Sequence, residues 1–328
     1  MCRKSILVVC ALALCITRVM ADPGIIVRKN ILYSSPEGFD LFLNLAYPKE
    51  HAKPLKALMY LPGNGWGHWW GANMDRTQNV WAISEAAAKG YFAATVDYRP
   101  TIFRDRANIP LYRYPDQLVD ARRAVRWIRA HATEYGVDAT KMAALGFSSG
   151  AHLALLLGLL PEDFRIAGES GDMGYSSKVQ AVVSCAGPVE LTKFYKESAK
   201  YPYELEDFMG GPPEAMSDKY LEASPLHYVT SMAPPILILH GTEDPDVPMN
   251  QETMLVAEMK KAGADVQLVL LPNVGHVSEV TNGNVYIFLR QHLDADRSMA
   301  IYGIASVCLL LGIGLALFVR HRIASKAQ

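Results

Sequence analysis

Cysteine is almost missing from the body of this chain. Of five cysteines, Cys2, Cys10 and Cys15 stand near the start and Cys308 lies in an apolar run near the end, which leaves Cys185 alone between them. No disulfide can form within the body, so its hydrophobic core has to hold it. Neither a CxxC pair nor a His/Cys cluster with metal-ligand spacing occurs, and no metal or cofactor is expected. An excess of basic charge is lacking too. Of 32 Lys and Arg, three (Arg3, Lys4, Arg18) lie in residues 1–21 and three (Arg320, Arg322, Lys326) follow Val319, with none of the 33 acids in either stretch. The body is therefore acidic on balance, which argues against nucleic acid as a partner, because phosphates are neutralised by Lys and Arg.

Long apolar runs are confined to the two ends. Arg3-Lys4 precedes the run Ile6–Ile16, and Val19-Met20-Ala21 offers small or apolar residues at a cleavage position, so residues 1–21 read as a signal peptide. Ala300–Val319 contains no charged residue. About 20 residues at about 1.5 Å each span roughly 30 Å, the thickness of a hydrocarbon core. Residues 298–319 are expected to form a transmembrane helix. The basic tail 320–328 would sit on the cytoplasmic side and the body on the extracytoplasmic side: periplasm, lumen or cell surface.

Between these ends, residues 22–297 read as one α/β domain. Short β-type runs (Ile25–Tyr33, Leu41–Tyr47, Leu55–Leu61, Tyr91–Val96, Lys141–Gly146, Val179–Cys185, Pro235–His240, Val266–Leu271) alternate with helical patterns at Tyr114–Tyr135, Ser149–Leu160, Met249–Ala262 and Asn284–Leu293. The first two strands predict a hairpin. The rest predict a mostly parallel sheet covered by helices on both faces. Phe194–Tyr220, rich in Pro, Gly and aromatics, is expected as an irregular cap or lid above the sheet.

The chemistry centres on Gly146-Phe147-Ser148-Ser149-Gly150, between a predicted strand and a predicted helix. A nucleophile elbow needs this context: the turn is tight, its neighbours must be small, and the serine hydroxyl is pushed out above the sheet. Serine needs a base. In the order Ser, acid, His, the candidates past the acid are His276, His292 and His321. His321 lies beyond the apolar run and His292 late in a helix, whereas His276 sits in a loop just after a strand. The acid is expected just after Pro235–His240, where Glu243, Asp244 and Asp246 all qualify by spacing. Pro62-Gly63-Asn64-Gly65-Trp66 follows another strand and could aim backbone N–H groups at an oxyanion, with the Ser149 N–H as partner donor.

These motifs resemble the esterase/lipase α/β-hydrolases of the hormone-sensitive-lipase and BD-FAE type, over roughly Leu41 to Leu293. Supporting stretches are Asp97-Tyr98-Arg99-Pro100, Tyr114-Pro115-Asp116-Gln117, Ala223-Ser224-Pro225 and His240–Pro248. The resemblance implies that the acid is the Asp three residues after the glycine of the His-Gly pair, which selects Asp244 with Asp246 as runner-up. It also implies that Asn64 and Gly65 supply oxyanion donors, in a motif where Pro62 and Asn64 replace the family's histidine and a glycine. Trp66 and Tyr98, with Trp69, Trp70, Phe103, Tyr112 and Tyr114, are candidates for lining a substrate pocket. His152 and His240 match family positions with structural roles, and Cys185 reads as a core residue. The expected reaction is hydrolysis of carboxylic esters, with short or medium acyl chains or with carbohydrate alcohols. An amidase or peptidase, and a non-catalytic recognition ectodomain, are the alternatives.

Overall fold

The computed structural model describes residues 24–67, 77–101, 112–166, 168–198, 201–276 and 282–294. Segments 1–21 and 298–328 lie outside these. Among the described residues no helix is long and apolar enough to cross a membrane.

Eight apolar runs pair edge to edge as β1 (Ile25–Ser34), β2 (Leu41–Pro48), β3 (Leu55–Leu61), β4 (Tyr91–Val96), β5 (Val137–Phe147), β6 (Ala181–Cys185), β7 (Ile236–Gly241) and β8 (Val266–Leu271). Their order in the sheet is β1-β2-β4-β3-β5-β6-β7-β8. β1 pairs antiparallel with β2, as the hairpin pattern predicts, and β2 pairs antiparallel with β4. From β4 onward every pairing is parallel. A parallel strand is covered on both faces and so reads as a continuous apolar run; all six residues of β4 are buried. β5 starts earlier than its apolar pattern suggests, because Val137 pairs with Leu55 ahead of a register shift.

Successive side chains point to opposite faces. Met59, Ala144, Val182 and Ile238 join one core, and Leu58, Ala143, Val183 and Leu237 the other. The first core is covered by α2 (Asp116–Ala130), α4 (Ser149–Leu159) and α8 (Met249–Lys261), and the second by α1 (Thr77–Ala88) and α9 (Gly283–Leu293). α4 is buried along its whole length, which explains why it is apolar all round. The chain leaves α9 beside the start of β3, where Lys56 pairs with Asp294.

Three expectations are corrected here. The predicted helix Tyr114–Tyr135 begins only at Asp116 and is broken at His131, giving α2 and a short α3 (Ala132–Tyr135) that ends on Gly136 at φ 63°. α1 has no counterpart in the predicted elements, although Ala82, Ile83, Ala86 and Ala87 recur at helical spacing and all are buried. The segment 194–220 is mostly helical: α5 (Leu191–Glu197), α6 (Pro202–Met209) and α7 (Ser217–Glu222). Its Pro and Gly residues bound helices, with Pro202 in the first turn of α6 and Gly210 capping it at φ 95°.

Four arginines of α2 are buried, against the usual rule for the type. Arg122 and Arg126 both pair with Glu169, Arg123 pairs with Asp120, and Arg129 donates to the carbonyls of Ala139 and Lys178. The contacts to Glu169 and Lys178 hold those residues against α2. Asp120 also takes Arg99 at 2.8 Å, which fixes the chain just after β4.

Candidate active site

The site is built at the ends where β3, β5, β7 and β8 finish. Ser148 follows β5 directly and starts α4 with φ 53° and ψ −123°, a conformation that costs a side-chain-bearing residue about 1–3 kcal/mol. The turn is held by the Ser148 N–H, which donates to the Cys185 carbonyl at 2.8 Å. Only glycine fits on either side. A Cβ at Gly146 would meet the Gly150 carbonyl oxygen at 2.2 Å, and one at Gly150 would meet that of Leu61 at 2.1 Å.

The loops after β7 and β8 are zipped together. Thr242 N–H donates to Leu271 O and Glu243 N–H to Val274 O, while a Cβ on Gly241 would strike the Gly275 carbonyl oxygen at 2.1 Å. This closeness brings Asp244 to His276, whose Nδ1–H donates to Asp244 Oδ2 at 2.7 Å. Asp244 Oδ1 accepts from the backbone N–H groups of Asp246 (2.8 Å) and Val247 (2.9 Å). Burial works against the ionised carboxylate, but the hydrogen bonds from His276, Val247 and Asp246 outweigh it and hold the pKa of Asp244 below its ordinary value. Of the three acids open by spacing, Asp244 thus meets the histidine, Asp246 lends its backbone, and Glu243 is exposed. The His276 ring tilts against the ring of Phe147, centroids 4.8 Å apart, which sets it beside the serine turn.

The loop after β3 lies on the same spot. A Cβ at Gly63 would meet the Phe147 carbonyl oxygen at 2.6 Å and Ser148 Cβ at 3.1 Å. Asn64, Gly65 and Trp66 all have positive φ (127°, 58° and 56°), a run that turns the chain back sharply. The Ser149 N–H belongs to the first turn of α4, where amides have no acceptor within the helix.

Trp66 and Tyr98 are both buried and hold this loop. Tyr98 donates its hydroxyl to Pro62 O at 2.8 Å. The Trp66 indole stacks on Phe208 of α6 at 4.4 Å, and its N–H donates to His152 Nδ1 at 3.1 Å. His152 in turn donates from Nε2 to Ala223 O at 2.7 Å, which fixes its tautomer. Complete burial keeps this imidazole neutral, with a pKa lowered to about 4. Tyr112 and Tyr114 are buried, the latter against Phe208, whereas Trp69, Trp70 and Phe103 lie outside the described residues. Among the described residues no group of three or more His, Cys, Asp or Glu could hold a metal ion.

Two carboxylates near the site carry no motif. Glu204 of α6 is buried against the loop, its Oε2 only 2.4 Å from where a Cβ on Gly65 would stand. Glu252 of α8 is fully buried and lies 3.1 Å from His240 Nδ1. The only trace of Glu252 in the sequence is its place in the first turn of a helix that begins just past the His-Gly loop.

Comparison with known proteins finds esterases. Esterase LipC of Mycobacterium tuberculosis is 30 % identical over 265 residues, covering 78 % of this chain and 61 % of that protein. Isoprenylcysteine alpha-carbonyl methylesterase ICME of Arabidopsis thaliana is 23 % identical, covering 86 % and 62 %. The chain spans about half the length of curated relatives that it matches. Among solved structures, a thermophilic esterase of Thermogutta terrifontis superposes with a TM-score of 0.61 at 28 % identity, over 84 % of this chain and 91 % of that one. A truncated carbohydrate esterase from gut microbiota shares the fold, with a TM-score of 0.69 at 24 % identity over 84 % and 99 %. The BD-FAE family model matches residues 43–259, about two thirds of the sequence, and the chain belongs to the BD-FAE family of α/β-hydrolases.

Proposed function

We propose that this protein is a serine carboxylic-ester hydrolase in which Ser148, His276 and Asp244 form the catalytic triad. The observation that carries the reading is the 2.7 Å hydrogen bond from His276 to Asp244, in a loop packed against the strained turn that presents Ser148. Donation from Nδ1 leaves Nε2 as the basic nitrogen. It takes the Ser148 proton as Oγ attacks the ester carbonyl, and Asp244 stabilises the imidazolium. The imidazolium then gives that proton to the departing alcohol, leaving an acyl-serine. Water repeats the sequence, releasing the acid and restoring the serine. The backbone N–H groups of Asn64, Gly65 and Ser149 are the donors for the oxyanion, each worth about 3–4 kcal/mol of barrier.

For substrates, we propose esters with short or medium acyl chains or carbohydrate alcohols. Support comes from the esterases and the carbohydrate esterase to which the chain is similar. The apolar run and basic tail support an anchor at residues 298–319, and the charged-then-apolar start supports a signal at 1–21, with the domain outside the cytoplasm. The test is hydrolysis of a p-nitrophenyl series, acetate to palmitate, by the full chain and by Ser148→Ala. Turnover that drops about 10⁶-fold in the variant is the expected result. A folded protein inactive on every ester, and unreactive toward a fluorophosphonate probe, would overturn it.

A further inference from the structure

Behind the triad acid lies a second layer of buried charge that the mechanism above does not use. His240, the last residue but one of β7, is buried between two carboxylates. Its Nδ1 is 3.1 Å from Glu252 Oε1 and its Nε2 is 3.8 Å from Asp244 Oδ2, the oxygen that accepts from His276. Glu252 is fully buried in the first turn of α8, and that turn is fixed because Gln251 Oε1 accepts from the backbone N–H groups of Val189 and Glu190 at 2.9 Å each. Two carboxylates in one dry site cannot both stay ionised without a positive charge or a proton between them.

We propose that Glu252 and His240 together hold one proton behind Asp244, which makes His240 a buried imidazolium and both residues positioning residues for the triad; this rests on the triad reading above. The proton leaves Asp244, His240 and Glu252 with a single net negative charge. The positive end of the pair faces Asp244 and keeps that acid ionised.

The surroundings agree with the geometry. Burial works against a charged His240, but the Glu252 hydrogen bond and charge, the Asp244 charge and the Val247 carbonyl raise its pKa above the ordinary value. Burial also raises Glu252, against the lowering effect of His240; Asp244 adds to the rise and the Gly187 N–H opposes it. Both partners thus hold protons more tightly than in water. From β6, the Cys185 thiol is pushed up to about 12 by burial and then by the Glu252 charge, so it contributes no charge of its own. From the loop after β8, His276 reaches this group only through Asp244.

The experiment is the pH profile of kcat/KM on p-nitrophenyl acetate for the full-length protein and for Glu252→Gln, His240→Gln and the double variant. Glutamine at 252 keeps the shape and removes the counter-charge, so His240 becomes neutral and Asp244 loses the positive charge behind it. The acid limb, which follows protonation of the base, is expected to move to higher pH by about half to one unit. His240→Gln and the double variant should show the same shift, without addition. An unmoved acid limb in a folded Glu252→Gln protein would overturn the proposal, as would a shift to lower pH, which would mean that His240 keeps its proton without Glu252. If Glu252→Gln does not fold, His240→Gln poses the same question. A parent whose activity survives Ser148→Ala would instead refute the triad reading itself.

Discussion

Replacing Asp244 by asparagine tests the hydrogen-bond pattern more sharply than deleting it. The side chain keeps its size, and one oxygen position is already committed, because Oδ1 accepts two backbone N–H groups at 2.8 and 2.9 Å. An NH₂ placed there would face two donors, so the asparagine must leave its carbonyl oxygen in that position. Its NH₂ then points at His276 Nδ1, 2.7 Å from Oδ2 in the native protein. That nitrogen becomes an acceptor, the proton moves to Nε2, and the nitrogen that faces Ser148 can no longer take the serine proton. The expected loss in kcat is about 10⁴-fold, close to 5 kcal/mol, with KM changed little. The assay is steady-state hydrolysis of p-nitrophenyl acetate at pH 8, beside Asp246→Asn, which keeps the backbone N–H that Asp244 uses and should stay within tenfold of the parent. Asp244→Asn activity within tenfold of the parent, in a protein of unchanged thermal midpoint, would refute the assignment of acid and tautomer together.

Other expectations follow from the loop geometry. Gly63→Ala places a methyl 2.6 Å from the Phe147 carbonyl oxygen and should push the oxyanion loop away, with kcat reduced about 10²–10³-fold. Gly90→Ala, at φ 89° with open space around it, should cost about 1 kcal/mol in a urea melt and leave kcat alone. Gly65→Ala strikes Glu204 Oε2, so the double variant with Glu204→Ala should recover part of the activity that the single one loses; no recovery would mean that the positive φ of residue 65 is the whole constraint. His152 has a folded pKa of about 4 against 6.5 unfolded, so between those values the unfolded chain binds the extra proton. Its contribution is complete above pH 6.5 and is lost as the pH falls toward 4, a change of about 3 kcal/mol. His152→Gln can still accept from Trp66 and donate to Ala223 O, and urea midpoints from pH 7 to 4.5 should fall less steeply in that variant than in the parent.

What the sequence disclosed follows from how local each signal is. β3, β4 and β8 have the bounds that their apolar runs predict; β3 and β4 lie inside the sheet, where a strand covered on both faces marks its own length, whereas β8 is a half-exposed edge strand that is apolar along its length all the same. The elbow and the His-Gly loop were legible for a similar reason: close approach of backbones admits only glycine at Gly146, Gly150 and Gly241. The buried arginines of α2 look like a solvated face, since Glu169, which two of them share, lies more than 40 residues further along. Glu252 is hidden in the same way, because a glutamate in the first turn of a helix ordinarily serves the helix dipole in water. Spacing left Glu243, Asp244 and Asp246 equal and only the family resemblance chose Asp244; the zipping of two loops from different strands is the physical reason that this carboxylate meets His276.

The pairing of Lys56 with Asp294 places the end of α9 beside the start of β3. That point lies where the parallel strands begin, and Ser148, Asp244 and His276 stand where they end, with the seven residues of β3 between at about 3.3 Å each. Asp294 and the Ser148 turn thus lie at opposite ends of the sheet, roughly 20 Å apart along the strands, and a support coupled to the domain at Lys56 should leave the Ser148 end open to solutes.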